Sequence, residues 1–294
     1  MASQNSPATR LTPLRRPSGA FAMLAVDQRE ALRQMLAEHQ SAPVTDTQVR
    51  DFKLLAAQIL TPHASAVLID RQFALADAIE QGVVAPSCGL IGSADHFESA
   101  HGELVGEVTI DRLVEPARLR EQGAVALKLL VLYRPDSGST ERVDMVEEFI
   151  GLCRSAGLAS IIEPVSRRPL DGSTWDWNEG VLAAAEELGR LGADLYKAEV
   201  PFHGEAPERE LRAACRRLTE TVDSEWVVLS SGVDHTTFPW AVQVACEEGA
   251  SGFLAGRAVW AASLSAADVA HDLRTNGVDR LRRLAAVVDG AVQP

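Results

Sequence analysis

The chain has 294 residues, of which 46% are hydrophobic and 23% are charged. This is the composition of an ordinary globular protein and excludes a disordered, collagen-like or coiled-coil chain. The length fits two average domains or one α/β barrel. The formal net charge is −13, with 28 Lys and Arg residues against 41 Asp and Glu residues. Without a block of basic residues, neither nucleic acid nor an anionic membrane is expected as a partner.

The N-terminal 18 residues contain three arginines and three prolines but no continuous apolar stretch. We interpret residues 1–18 as a flexible lead-in rather than a signal peptide. No run of about 18 apolar residues predicts a membrane span. The four cysteines are too far apart for a CxxC motif and too few for a disulfide scaffold, which favours a reducing, cytoplasmic location.

Short apolar runs rich in Val, Ile and Leu recur along the chain, as expected for buried parallel strands that alternate with helices. The eight predicted strands are Phe21–Asp27, Ser65–Asp70, Cys88–Ser93, Ala126–Arg134, Ala159–Val165, Ala193–Val200, Trp226–Gly232 and Gly252–Arg257. The predicted helices between them are Arg29–Gln40, Asp46–Leu60, Arg142–Ala156, Asn178–Leu191, Glu208–Val222 and Phe238–Glu248. Eight strand-helix units predict a single closed (β/α)₈ TIM barrel over residues 19–294.

One connection is less regular, because Ala94–Val108 has the composition of a polar loop, with an extra strand left open at Val108–Asp111. Two further helices, Ala266–Thr275 and Val278–Val288, are predicted to close the outer layer. No linker or shift in composition indicates a second domain.

Active sites of TIM barrels lie at the carboxyl ends of the strands. Lys128 and Lys197 interrupt two apolar strands, where an ammonium group is costly to bury. If both point into the barrel, each disfavours the charge of the other, which would lower the pKa and supply a neutral nucleophilic amine. A salt-bridged structural lysine is the alternative. Glu163 fits a proton shuttle or a counter-ion, and Asp27 fits a substrate-orienting carboxylate or a helix cap.

Two glycine-containing segments, Leu229–Asp234 and Leu254–Trp260, follow the last two strands, where barrels of this type commonly bind phosphate. Arg257 would add a guanidinium to the anion. The seven histidines form no metal-binding pattern, and the loop with Asp95, His96, Glu98 and His101 is interpreted as a solvated surface. We expect no metal and no cofactor, since nucleotide-binding motifs are also absent. Trp175 and Trp177 are interpreted as loop or subunit contacts.

Six segments occur in one order: AMLAVDQREAL, ALKLLVLYR, SIIEPV, ADLYKAEVP, VVLSSGVD and GFLAGRAVW. Together they resemble the class I aldolases of the tagatose 1,6-bisphosphate aldolase family, with the nearest likeness to its sulfofructosephosphate aldolases. The resemblance spans about residues 18–262. It implies a homo-oligomeric barrel, a dimer or tetramer, that cleaves a ketose 1-phosphate without metal through a lysine imine.

The resemblance also implies roles for individual residues. Lys197 would form the imine, Lys128 and Glu163 would assist it, and Asp27 would complete the catalytic set. The remaining positions are assigned to substrate binding: Gln28, Arg29, Arg71, Gln72, Ser231, Gly232, Gly256 and Arg257. Of these, Ser231, Gly232 and Arg257 would hold the phosphate, and Gln28, Arg29, Arg71 and Gln72 are candidates for the far end.

The expected substrate is 6-deoxy-6-sulfofructose 1-phosphate, cleaved to dihydroxyacetone phosphate and 3-sulfolactaldehyde in sulfoquinovose degradation. Tagatose 1,6-bisphosphate is the alternative substrate. A non-catalytic sugar-phosphate sensor and a metal-dependent aldolase are the competing functions. The presence of Lys128, Glu163 and Lys197 together argues against the sensor.

Overall fold

A computed structural model describes residues 6–292, and eight parallel strands in it close into a barrel. The strands in chain order are β1 (Phe21–Val26), β2 (Ala66–Ile69), β3 (Gly89–Ser93), β4 (Asp95–Ala100), β5 (Glu103–Ile110), β6 (Ala124–Tyr133), β7 (Ala159–Ser166), β8 (Leu195–Glu199), β9 (Glu225–Leu229) and β10 (Gly252–Ala255). The barrel order is β1-β10-β9-β8-β7-β6-β3-β2, which confirms the predicted (β/α)₈ fold and all eight predicted strands.

Helices cover the outside of the barrel. They are α1 (Pro7–Leu11), α2 (Glu30–Ala37), α3 (Asp46–Leu60), α4 (Leu75–Glu80), α5 (Pro116–Glu121), α6 (Ser139–Ala156), α7 (Trp177–Leu188), α8 (Glu208–Thr221), α9 (Phe238–Glu247), α10 (Arg257–Trp260), α11 (Val269–Asp272) and α12 (Val278–Ala291). The six helices predicted between strands are confirmed within a few residues. The helix predicted over Ala266–Thr275 is only the short α11, followed by a π-turn over Leu273–Gly277.

The prediction of a polar loop over Ala94–Val108 is wrong. Strands β4 and β5 form an antiparallel hairpin beside the barrel, in which Asp95 pairs with Ile110 and Glu98 with Glu107. The turn places His101 and Gly102 at positive φ, 56° and 76°, the conformation that a tight hairpin favours. Polar and apolar residues are mixed along both strands of the hairpin, with no regular change between buried and exposed positions, so its sequence lacks the apolar alternation that identifies a half-buried strand.

The flexible lead-in predicted for residues 1–18 is also wrong for its described part. Helix α1 and the turn that follows it place Leu11 and Leu14 in full burial, against the apolar residues that fill the lower part of the barrel interior. Arg10 and Arg15 form ion pairs with Asp194 and Glu225 near the starts of β8 and β9. The segment therefore closes the N-terminal end of the barrel, while residues 1–5 lie outside the described residues.

Between Ser6 and Val292, no helix is long and apolar enough to cross a membrane.

Candidate active site

A cavity of about 690 Å³ opens at the carboxyl ends of the barrel strands. Seven of the predicted site residues line it: Asp27, Gln28, Arg29, Gln72, Glu163, Ser231 and Arg257. They come from β1, β2, β7, β9 and β10 or from the residues that follow these strands. The structure thus brings together side chains that are up to 230 positions apart in the sequence.

Lys128 lies fully buried below this cavity and is surrounded by three carboxylates. Its Nζ atom is 2.8 Å from Asp27 Oδ2, 2.8 Å from Asp95 Oδ2 and 3.0 Å from Glu163 Oε2. Three carboxylates around one ammonium group leave this group no free direction from which to attack a substrate. The contacts favour a charged, fixed Lys128 that supplies a positive electrostatic field.

Glu163 connects Lys128 to the second buried lysine. Its Oε1 atom is 2.9 Å from Lys197 Nζ, and Lys197 has only 3% of its surface exposed. The register pairs β7 with β6 and with β8, which places Glu163 between the strands that carry the two lysines. A single carboxylate can therefore accept a proton from Lys197 while its other oxygen stays next to a permanent positive charge.

The pKa of Lys128 is raised, whereas the sequence analysis expects two neighbouring lysines to lower the pKa of each other. Burial by itself would lower this pKa, but the charges of Asp27, Asp95 and Glu163 outweigh burial and raise it well above its ordinary value. The same balance acts on the carboxylates. Burial would raise the pKa values of Asp27 and Asp95, yet the positive charge of Lys128, aided by Lys197 at Asp27 and by Arg29 at Asp95, lowers both.

Asp95 is a site residue that the sequence analysis missed. The interpretation of its loop as a solvated surface is wrong at this position, because Asp95 is completely buried at the start of β4. It accepts hydrogen bonds from Lys128 Nζ and from the backbone N–H of Leu130 on one oxygen, and from Ser93 and Arg29 on the other. An aspartate directly after a buried strand was the available signal.

Arg29 lines the cavity, but its guanidinium is already engaged. It donates to Asp95 Oδ1 at 2.6 Å and to Ser93, and it lies 4.0 Å from the centre of the Phe97 ring. The predicted role of Arg29 in holding the far end of the substrate is therefore weakened. Its contacts instead fix Asp95, and through Asp95 they fix Lys128.

Glu199 adds a third buried carboxylate to the cavity wall, after Asp27 and Glu163. It lies two residues after Lys197 in β8, so both side chains point to the same side of the strand. One oxygen accepts the backbone N–H of Ser166 at 2.8 Å. Burial raises the pKa of Glu199 to about 7, although the Ser166 hydrogen bond and the charges of Arg167 and Arg257 oppose the rise.

The predicted anion site has the expected polar groups. Arg257, directly after β10, donates a hydrogen bond to Ser231 Oγ, directly after β9. Gly232 has φ of +75°, and a Cβ there would lie 2.5 Å from His203 Nδ1. At Gly256 a Cβ would lie 2.2 Å from the carbonyl oxygen of Ala25 and 3.1 Å from the amide nitrogen of Gln28. Gly256 and Gln28 thus belong to the Arg257 side of the mouth, and both glycines are needed for close packing.

Arg71 is not part of the site. It lies outside the cavity, where its Nε atom forms an ion pair of 2.6 Å with Asp111, so its assignment to substrate binding is wrong. Arg71 and Gln72 are adjacent in the turn after β2, but only Gln72 faces the cavity. The position of a residue after a strand therefore did not show which of the two side chains enters the site.

A further part of the cavity wall was not predicted. The hairpin contributes Phe97, Glu103 and Leu104, and the segment after β7 contributes Arg167, Arg168, Trp175 and Trp177. The ring of Trp177 stacks on His203 with 3.7 Å between the centroids. Trp175 and Trp177, interpreted from the sequence as loop or subunit contacts, are thus at the rim of the site. In the part of the chain that the structure describes, no group of His, Cys, Asp and Glu residues is arranged to hold a metal ion.

Comparison with known proteins agrees with this geometry. Residues 21–262 match the model of the DeoC/LacD family of aldolases. The chain is 28% identical to tagatose 1,6-diphosphate aldolase 2 of Streptococcus pyogenes serotype M3, with 94% of this chain and 93% of that protein covered. It is 29% identical to tagatose 1,6-diphosphate aldolase of Staphylococcus aureus, with 98% and 97% covered. Among solved structures, an archaeal fructose 1,6-bisphosphate aldolase superposes with a TM-score of 0.65 and 17% identity over 97% of this chain and all of that chain.

Proposed function

The chain belongs to the DeoC/LacD family of class I aldolases, carbon–carbon lyases that act on phosphorylated sugars, and we propose that Lys197 forms the imine with the substrate. One observation carries this assignment. Lys197 has a single carboxylate partner, Glu163, whereas Lys128 is surrounded by three. A nucleophilic amine must lose a proton and be free to attack, and only the environment of Lys197 permits both.

The proton transfers start at Glu163. This carboxylate takes the ammonium proton of Lys197, and the neutral amine attacks the C2 carbonyl of a ketose 1-phosphate. Glu163 then returns this proton to the C2 oxygen and relays a second proton from the nitrogen of the adduct to the same oxygen, which leaves as water and produces the iminium ion. Lys128 remains charged throughout, because the negative charges of Asp27, Asp95 and Glu163 raise its pKa well above the ordinary value.

The iminium ion accepts the electrons of the bond that breaks. A base removes the C4 hydroxyl proton, the C3–C4 bond cleaves, and the aldehyde fragment leaves while the remaining three carbons form an enamine on Lys197. Protonation at C3 followed by addition of water releases dihydroxyacetone phosphate and the free lysine. Arg257, Ser231 and the backbone at Gly232 would hold the phosphate and so position C2 against Lys197.

Trapping with borohydride tests the imine assignment. The purified enzyme is incubated with dihydroxyacetone phosphate and borohydride, and the modified lysine is identified by peptide mass spectrometry. We expect the adduct on Lys197. An adduct on Lys128, or none at all, contradicts the assignment. Lys53 serves as an internal control, because it is buried outside the barrel and should not react.

For the substrate, we propose 6-deoxy-6-sulfofructose 1-phosphate, on the basis of the VDQREA, LSSGVD and SGFLAGRAVW segments. The second candidate is tagatose 1,6-bisphosphate, because the Streptococcus and Staphylococcus relatives are tagatose 1,6-diphosphate aldolases. A sulfonate carries one negative charge and a phosphate about −1.5 to −2 at neutral pH, so the charge at the far end separates the two candidates. The homo-oligomeric state and the cytoplasmic location remain predictions.

The values of kcat/KM for the sulfonated ketose phosphate, tagatose 1,6-bisphosphate and fructose 1,6-bisphosphate, measured in one buffer, decide between them. Recognition of one charge in a partly desolvated pocket gives an expected preference of roughly 5- to 150-fold for the sulfonated substrate. Equal kcat/KM values, or a higher value for a bisphosphate, would contradict the sulfonated substrate and favour tagatose 1,6-bisphosphate. Activity is expected to survive chelators, and a loss that zinc restores would indicate a metal-dependent aldolase instead.

A further inference from the structure

Four arginines line the cavity, and they differ in how their charges are neutralised. Arg29 is paired with Asp95, and Arg167 lies 3.5 Å from Glu103. Within residues 6–292, Arg168 and Arg257 have no carboxylate at ion-pair distance, although the chain has 13 more acidic than basic residues. Cations left without a carboxylate in a cavity are suited to anions on a ligand. The cavity therefore has two places for anions, one at Arg257 and one at the Arg167–Arg168 pair.

The Arg167–Arg168 pair is held in place by contacts from two other segments. Arg134, at the end of β6, donates to the carbonyl oxygen of Arg168 and forms an ion pair of 2.8 Å with Glu103 of the hairpin. Asp136 accepts the backbone N–H groups of Leu170 and Asp171 at 2.6 and 3.0 Å. These bonds fix the backbone of the segment before any ligand arrives.

The order of the strands gives the direction of a bound substrate. The phosphate site is at β9 and β10, Lys197 is on β8, and Arg167 and Arg168 follow β7. An extended ketose with C1 at the phosphate site and C2 at Lys197 continues toward β7. Three strand spacings separate β10 from β7, which is about 14 Å along the barrel wall. The distance between the two anion sites is shorter than this, because the arginine side chains reach inward.

We propose that Arg167 and Arg168 bind the anionic group at the far end of the substrate. This inference rests on the proposed imine chemistry, which fixes C2 at Lys197. The far end of the substrate would then be bound by the segment after β7, and not by Arg71, which lies outside the cavity.

The subsite carries a net positive charge. Glu103 is shared by Arg134 at 2.8 Å and by Arg167 at 3.5 Å, so these three side chains have one positive charge in excess. Arg168 adds a second positive charge, which lies 5.9 Å from the centre of the Trp175 ring. Guanidinium groups in excess over carboxylates favour an anionic group on the substrate.

Aldol synthesis tests the proposal, because the aldehyde can be changed while the dihydroxyacetone phosphate half stays constant. The aldehydes are neutral glyceraldehyde, glyceraldehyde 3-phosphate and 3-sulfolactaldehyde. In R168Q, we expect kcat/KM for 3-sulfolactaldehyde to fall about tenfold to a hundredfold, the range for losing a hydrogen bond to a charged group. The value for glyceraldehyde should not change. R168K should recover part of the loss, and the value for glyceraldehyde 3-phosphate should fall together with that for 3-sulfolactaldehyde, since both aldehydes end in an anionic group.

R71Q is the matched control and should leave all three values unchanged, since Arg71 pairs with Asp111 outside the cavity. The borohydride adduct with dihydroxyacetone phosphate distinguishes a failure of the far-end proposal from a failure of the aldolase proposal. If the adduct forms but R168Q affects all aldehydes equally or none, the far-end proposal is overturned and the aldolase proposal stands. Selective loss in R71Q has the same meaning. If no adduct forms, the aldolase proposal fails and this inference fails with it.

Discussion

Two regions of the molecule bury lysines in different ways. Lys53, in α3 on the outside of the barrel wall, forms an ion pair with the equally buried Asp70, which also accepts the backbone N–H of Phe73. Lys128, below the mouth, faces three carboxylates, of which Glu163 is shared with Lys197 and Asp95 with Arg29. The pKa of Lys53 is lowered by burial despite the opposing charge of Asp70, whereas the pKa of Lys128 is raised.

The difference is instructive because burial is complete in both places. A closed one-to-one pair satisfies itself and leaves no group for a ligand, as expected for a structural ion pair. In the mouth, Lys128, Lys197 and Arg29 share Asp27, Asp95 and Glu163, so a proton can move within the network without leaving an isolated charge. Shared partners, rather than burial, mark the functional lysines.

Replacing each lysine with methionine tests this distinction and should give the largest effects. K53M leaves the Asp70 carboxylate buried without its ion partner, which should lower the free energy of unfolding by about 3–5 kcal/mol. Its kcat should change far less than that of K128M at a temperature where the protein is folded, since Lys53 acts on Asp27 only through its charge. K128M should instead lower kcat by about 10²–10³-fold, the range for loss of one preorganised electrostatic contact. Urea unfolding and steady-state kinetics measure the two quantities.

The double variant K53M/D70N is the control for the structural pair. It removes the isolated charge, so it should recover part of the stability that K53M loses. A large fall in kcat in K53M would show that the outer pair contributes to catalysis, and the distinction between the two regions would be wrong.

Glu199 sharpens the comparison, since it is a buried carboxylate without a lysine partner. Its pKa is raised from 4.5 to about 7, so between these pH values the folded protein binds more protons than the unfolded chain. Linkage then makes the wild type lose stability as pH rises from about 4.5 to 7. E199Q keeps the acceptor for Ser166 and cannot ionise. Its stability relative to the wild type should increase across this window, by up to about 3 kcal/mol.

Thermal or urea unfolding of both proteins at pH 5 and pH 8 measures the effect of Glu199. The remaining acidic residues titrate in both proteins and cancel in the difference. A difference between E199Q and the wild type that does not change with pH would mean that Glu199 is ionised throughout, held by Arg167 and Arg257.

The sequence was sufficient for the barrel and for the residues that lie on its strands. Lys128, Glu163 and Lys197 were predicted because a charged residue within an apolar strand is conspicuous. Asp95, Arg167 and Arg168 were missed because they lie in polar connections, where a charged residue is the normal case. Arg71 was predicted wrongly for a related reason. Position after a strand does not determine whether a side chain turns toward the cavity or away from it.

Arg257 differs from the buried lysines, because it is a half-buried cation that donates a hydrogen bond to a hydroxyl, Ser231 Oγ, and has no carboxylate at ion-pair distance within residues 6–292. Burial lowers its pKa even though Glu163, Asp27 and Glu199 oppose this shift from a distance. A phosphate would supply the missing negative charge. R257A should therefore weaken binding of dihydroxyacetone phosphate by about 1.5–3 kcal/mol, the value of a hydrogen bond to a charged group. Calorimetric titration of K197M, which cannot form the imine, with and without R257A isolates this contact from the covalent step. An unchanged affinity would place the phosphate elsewhere and leave Arg257 as an unpaired cation without a ligand, which would break the link between incomplete pairing and function.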